Sequence, residues 1–287
     1  MLGRVLLLVG LWWAACLGAL ALGTQWASPV VAFDANANGN DDLYLVSVRR
    51  PGLVVPLTRH PADDLDPTWS PDGRSLAFIS NRDDPRLYTL YVLDLETLAV
   101  QRVWDGPQTA LHPAWSSVDS RIAFIDNQGA AGVGSYDVYV TTLDGEREQL
   151  TQLGGTALNP DWSPDGEALV FEARPHYQVN SLHAYRFGEG TRVLAVPSDT
   201  ISYPVWATDD TLLYTRLTDS GALLFRHDLQ THTIQAISPP YTANSVDTVD
   251  GHVVFNTTGR QLVYGSADAP HNWQWLRATG GNPSLRP

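Results

Sequence analysis

Lysine is missing from this chain: all 18 basic residues among its 287 are arginine. Whatever the fold, that removes Schiff-base lysine chemistry, a lysine-bound pyridoxal cofactor and a P-loop lysine. Thiols are almost as scarce. The single cysteine, Cys16, lies inside an apolar N-terminal run, so the rest of the chain has neither a disulfide nor a thiol nucleophile. Positive charge is in deficit too. The 31 acidic residues give a formal charge of −13, and no basic cluster interrupts them. Nucleic acid is therefore not the expected partner.

The first 27 residues read as an export segment, with the globular part at 28–287. Arg4 supplies a short positive region, and Val5 to Gly23 carries no charge. A run of about 20 apolar residues can span a bilayer. A cleaved signal peptide has a shorter apolar core and a small-x-small site, which Ala21-Leu22-Gly23 would provide. A third reading is lipidation of Cys16, since Ala14-Ala15-Cys16 looks like part of a lipobox. A retained anchor, a cleaved signal peptide and a lipid anchor stay open. Each places the globular part outside the cytoplasm, because the positive end stays in.

A repeat carries the rest. Pro67-Thr68-Trp69-Ser70-Pro71-Asp72-Gly73 recurs as Pro160-Asp161-Trp162-Ser163-Pro164-Asp165-Gly166, with weaker copies at Pro113-Ala114-Trp115-Ser116 and Pro204-Val205-Trp206-Ala207. The tryptophans are 46, 47 and 44 residues apart. An apolar triplet comes after each, as in Leu76-Ala77-Phe78 and Leu169-Val170-Phe171, and the triplet also occurs at Val31-Ala32-Phe33 and Val253-Val254-Phe255. A second β-like segment such as Leu90-Tyr91-Val92 comes next. Asp72-Gly73, Asp165-Gly166 and Asp250-Gly251 supply the positive φ of tight hairpins. A period of about 45 residues built from short strands is the mark of a propeller blade. One such sheet alone would leave two apolar faces wet, and stacked blades bury both.

The expected fold is therefore all-β: a single six-bladed β-propeller of four-stranded antiparallel blades. Residue 30 begins at the second strand of a blade whose inner strand is missing. Gly281-Asn282-Pro283-Ser284-Leu285 lines up with Leu158-Asn159-Pro160-Asp161-Trp162. The C-terminal strand is thus expected to pair into the first blade and close the ring, which removes two open sheet edges.

These motifs resemble the WD-like β-propeller repeats of TolB, and also the propeller domains of prolyl-oligopeptidase-type peptidases. The resemblance covers about 90% of the chain and is strongest around Trp69 and Trp162. It implies a non-enzymatic, extracytoplasmic binding scaffold of the cell envelope, acting on a protein, peptide or glycan partner, and here expected as a monomer. The chain is expected to carry the propeller without TolB's additional N-terminal domain or the peptidases' catalytic one. No Gly-x-Ser-x-Gly elbow and no His-Glu-x-x-His is found. The alternative is a metal-dependent polysaccharide lyase or hydrolase using channel histidines, of the kind some propellers of this repeat type support.

Two candidate sites emerge. The residue before each inner-strand proline should face the mouth of the central channel: Asp66, His112, Asn159, Tyr203 and Asn282, with Asn244 or Ser245 in the degenerate sixth blade. All can hydrogen-bond, and Asp63 and Asp64 add charge beside them. Such a convergence reads either as a ligand site or as strand starts wetted by channel water. The second candidate is Asp34-Ala35-Asn36-Ala37-Asn38-Gly39-Asn40-Asp41-Asp42. Its oxygens at Asp34, Asn36, Asn38 and Asp42, with Gly39 at the sixth place, match the start of a calcium loop. Only Asp34 and Asp42 of the four are charged and no bidentate Glu closes the loop, so a plain Asx-rich hairpin is the favoured reading. Calcium is the only cofactor the sequence suggests. The eight histidines are scattered and read as surface residues, and the four repeat tryptophans as packing residues.

Overall fold

The computed structural model describes residues 29–285, apart from 38, 128–134, 175–179, 195–200, 220, 239–242, 250–251, 258–259 and 269–272. The export segment with Cys16, the Asp250-Gly251 turn and Asn38 lie outside the described residues.

Six four-stranded antiparallel sheets succeed one another around a ring, and no helix occurs among the described residues. We number the blades by their second strands: Val30–Asn36, Ser75–Asp84, Ile122–Asp126, Ala168–Arg174, Thr211–Thr218 and His252–Thr257. The inner strands of blades 2 to 6 are Asp64–Trp69, Leu111–Trp115, Thr156–Trp162, Ile201–Thr208 and Ala243–Val249. Blade 1 takes its inner strand from the other end of the chain. Ser284–Leu285 pairs antiparallel with the first strand, Val31 opposite Leu285 and Ala32 opposite Ser284. The C-terminal closure expected from the sequence is present.

The triplets explain why the blades stack. Phe33, Phe78, Phe124, Phe171, Tyr214 and Phe255 are at most 1% exposed. Each is wedged against the preceding blade, so that six apolar clusters form, one in each cleft between neighbouring blades. Alternation along a strand feeds one residue to each cleft. Val30 and Ala32 face blade 2, while Val31 and Phe33 face blade 6. In the Asp-Gly turns, Gly73 and Gly166 have φ of 64° and 70°, as the sequence requires.

Around the channel, polar latches join the inner strands in an alternating pattern. Blades 2, 4 and 6 accept the backbone N–H of the next blade through a side chain. Trp115 N–H donates to Thr68 Oγ1 at 3.1 Å, Trp206 N–H to Asp161 Oδ2 at 2.7 Å and Leu285 N–H to Asp247 Oδ2 at 2.6 Å. The same three blades also donate backwards. Trp69 Nε1 reaches Ser284 O, Trp162 Nε1 reaches Ala114 O and Thr248 Oγ1 reaches Trp206 O, at 3.1, 3.0 and 2.7 Å. The odd blades carry Ser284, Ala114 and Val205 where the even ones carry the acceptor, and offer backbone instead.

The closing segment is held from both sides. Gly280 N–H donates to Arg260 O, Gly281 N–H to Asp34 O, and Asn256 Nδ2 to Gly281 O. Glycine is required by space at these positions. A Cβ on Gly281 would lie 1.9 Å from Asp34 Oδ2, and one on Gly280 would lie 2.2 Å from the Phe33 ring. Gly281→Ala is therefore expected to lower stability by roughly 2 kcal/mol, read as a melting temperature lower by several degrees. An unchanged melting curve would show that closure does not need this fit.

Candidate functional site

In blades 2 to 5 the residue before the inner-strand proline sits in a backbone irregularity. Register shifts occur between Leu65 and Thr68, Leu111 and Ala114, Leu158 and Asp161, and Ser202 and Val205. Proline has no N–H to give a ladder, so it fits a bulge. Asp66, His112, Asn159 and Tyr203 have φ of 52°, 49°, 49° and 53°. Left-handed backbone is uncommon for such residues and costs on the order of 1–3 kcal/mol each. The conformation turns these four side chains toward the axis.

There they meet Ser245 and Asn282 around a small cavity of about 100 Å³. All five residues assigned to this mouth by the sequence line it, with Ser245 in the sixth place. Nothing is described of the Asn244 side chain. Part of the ring is linked directly. Asn282 Nδ2 donates to Asp66 Oδ1, and Asp66 Oδ2 lies 3.5 Å from His112 Nδ1. The expected neighbours Asp63 and Asp64 do not line the cavity. Asp64 is fully buried against Arg82 at 2.7 Å, and Asp63 accepts from Asp41 N–H and the Tyr88 hydroxyl. Both are structural.

The mouth is fixed from behind by side chains that sequence reasoning misses. They directly succeed the buried aromatic of the triplet, where a polar residue is out of place: Asp34, Glu172 and Asn256, exposed by only 2, 3 and 5%. Asn282 N–H donates to Asp34 Oδ1 at 3.0 Å. Glu172 Oε1 accepts from Asn159 Nδ2 at 2.5 Å and from Tyr203 N–H at 2.8 Å. Asn256 Oδ1 accepts from Ser245 N–H at 2.9 Å. In blades 2 and 3 the same place holds Ile79 and Ile125.

Burial sets the charge of these clamps. Desolvation, helped by the nearby Asp66, pushes the Asp34 carboxyl up to about 7 against the pull of Asn282 N–H and Arg260. Glu172 is also raised, by burial above all, although its bonds to Asn159 and Tyr203 oppose the shift. The Tyr203 hydroxyl is raised by burial and by Glu172 and Asp66, so it stays a donor at neutral pH. Below the mouth the channel narrows to a waist of Thr68, Asp161, Asp247 and Ser284, which line this cavity and also a wider one beyond.

The calcium-loop residues are placed differently. Asp34 pairs across the hairpin with Leu43, and Ala35 with Asp42. Directly opposed residues share a face, so Asp34 and Asp42 point to opposite faces of the sheet. Asp42 accepts from Thr58 Oγ1 at 3.2 Å, and Asn36 Oδ1 caps the turn by accepting Gly39 N–H at 3.2 Å. The structure brings Asn36 and Gly39 together but not Asp34 and Asp42, the two charged members of the set. Among the described residues no group of three His, Cys, Asp or Glu side chains is arranged to hold a metal ion. The histidines need a correction as well. His183 and His227 are not surface residues; they are 5% and 3% exposed, and burial lowers the pKa of both. Each occupies a third-strand position that packs on an aromatic, His183 on Phe171 and His227 on Tyr214.

Two measurements test these placements. Millimolar calcium is expected to leave the melting temperature unchanged, whereas a site that binds it would raise it by mass action. Asp34, raised in the folded state above its value of 3.8, contributes stability that is fully present below that value and is lost as pH rises through about 7. Relative to Asp34→Asn, the parent protein should therefore lose stability between pH 4 and pH 7. Parallel stability curves for the two proteins would contradict this.

No family model matches the chain. Among curated proteins it is 30% identical over 155 residues to an uncharacterized peptidase, YuxL, of Bacillus subtilis, covering 42% of this chain and 23% of the relative. It is 30% identical over 92 residues to the Tol-Pal system protein TolB of Alcanivorax borkumensis, covering 31% and 20%. The chain thus spans less than a third of either relative. Among solved structures, TolB from Acinetobacter baumannii superposes with a TM-score of 0.74 at 18% identity, covering 96% of this chain and 70% of that one. An oligogalacturonate lyase in complex with manganese gives 0.61 at 15% identity, covering 87% and 74%. This chain is a six-bladed β-propeller, similar in fold and in its repeats to TolB.

Proposed function

We propose that this protein is a non-enzymatic binding scaffold of the cell envelope, working outside the cytoplasm as a monomer. On this reading it recognises a protein, peptide or glycan at the channel mouth. The observation that carries the reading is the mouth itself. Six hydrogen-bonding side chains converge there, four of them on left-handed backbone and four held by the buried clamps Asp34, Glu172 and Asn256. Groups held in place before a partner arrives lose little freedom on binding. Strain kept at a concave polar site is the usual trace of recognition. The similarity to Tol-Pal proteins supports an envelope setting, as does the apolar segment at residues 1–27.

A metal-dependent lyase or hydrolase would need metal ligands in the channel, and His112 is the one histidine on the mouth among the described residues. Metal analysis of purified protein separates the two readings, since stoichiometric transition metal would favour the enzyme. The binding reading is tested by capture from solubilised envelopes on immobilised protein. The parent should retain a component that the Asp66→Ala, His112→Ala double variant loses. Equal retention by both would remove the mouth as the recognition site.

A further inference from the structure

Beyond the waist the channel opens into a vestibule of about 580 Å³, on the side away from the mouth. That volume lies within the range of ligand cavities. Trp69, Trp115, Trp162 and Trp206 form its wall with prolines, and among the described residues the wall includes no arginine or histidine. We propose that this vestibule receives a lysine-bearing segment of a partner polypeptide, its ammonium seated between Asp161 and Asp247 at the waist.

The waist carboxylates have unusual surroundings. Asp161 and Asp247 lie deep in the disc yet keep accessible surface, and both line the two cavities that meet there. Neither appears in an ion pair among the described residues. Burial raises both carboxyls, Asp247 to about 6, and the neighbouring Asp247 charge raises Asp161 further. Two like charges held together without a counter-ion are costly, and a cation relieves both. Each carboxylate has about four lone-pair sites. The latches use Asp161 Oδ2 and Asp247 Oδ2, Thr248 N–H takes Asp247 Oδ1, and Trp162 N–H and the Ser284 hydroxyl add one bond each to Asp161 and Asp247. Capacity remains for the three donors of an ammonium.

The wall suits the rest of a lysine segment. An alkyl stem packs along indole and proline surface while its charged head goes on to polar partners. Trp115 and Trp206 are only 8% exposed, and among the described residues their buried Nε1–H groups have no acceptor, unlike those of Trp69 and Trp162. Lysine fits the waist better than arginine because its charge is compact rather than spread over a planar fork. This chain has no lysine, so the group must come from a different protein and not from a second copy.

The test uses the full chain and three peptides: acetyl-Gly-Gly-Lys-Gly-Gly-amide, its acetyl-lysine form and its arginine form. Binding is read by calorimetry and by tryptophan fluorescence. The lysine peptide should bind at least about tenfold tighter than either other peptide, since acetylation removes the charge. Asp161→Asn with Asp247→Asn should abolish that preference. So should Thr208→Trp, which adds bulk at an exposed residue of the vestibule rim. Asp66→Ala with His112→Ala should leave it intact, which separates this site from the mouth. No binding, equal binding of the acetylated or arginine peptide, or loss in the mouth variant alone would overturn the proposal.

Discussion

The structure depends on the inner strands being held to one another around the channel. Each blade is a separate sheet, so ladder hydrogen bonds end at its edges. Apolar burial in six clefts supplies most of the cohesion, but it is non-directional and fixes no register between sheets. The latches supply direction. They place the backbone of one inner strand against a side chain of the next, within about 3 Å, all the way round. Because the last link uses Leu285 and Ser284, the ends of the chain become part of the same circuit.

The latch pattern also explains the uneven repeat. Blades 2 and 4 keep the full Pro-x-Trp-Ser-Pro-Asp-Gly because their tryptophans both pack and donate. The side chains of Trp115 and Trp206 in blades 3 and 5 pack with no Nε1 acceptor among the described residues, and their motifs have drifted. Blade 6 has no tryptophan at this place, yet Thr248 still donates backwards and Asp247 still accepts forwards. Latching therefore keeps a three-fold rhythm inside a six-fold ring. The same rhythm puts carboxylates at the waist, at Asp161 and Asp247, and it gives the channel an acidic centre between two unlike openings.

Most of the fold is legible in the sequence, because it rests on period and register. The triplets set the blade count, the Asp-Gly pairs set the turns, and the displaced Asn-Pro-Ser-Leu sets the closure. The mouth residues are legible for the same reason, since a residue before an inner-strand proline keeps its place in every blade. What stays hidden is contact between blades. Glu172 lies 31 residues from Tyr203 in the chain and Asp34 lies 248 from Asn282. The signal is there in a weaker form: Asp34, Glu172 and Asn256 break an otherwise apolar run at one fixed place. The calcium pattern misleads because spacing carries no pairing. Once Asp34 faces Leu43 across a hairpin, strand alternation sends Asp42 to the other side. The histidines mislead because an imidazole can pack on an aromatic ring, and composition does not show that.

Native-state hydrogen exchange tests the central claim, that the ring is one closed unit latched at its inner strands. The amides of Trp115, Trp206 and Leu285 each donate to a side chain of the preceding blade. If the circuit is continuous, all three should exchange only through the same global opening, with equal protection despite the position of Leu285 near the chain end. Protection of Leu285 at the level of a fraying terminus, with Trp115 and Trp206 still slow, would show that the ring is held without its last link.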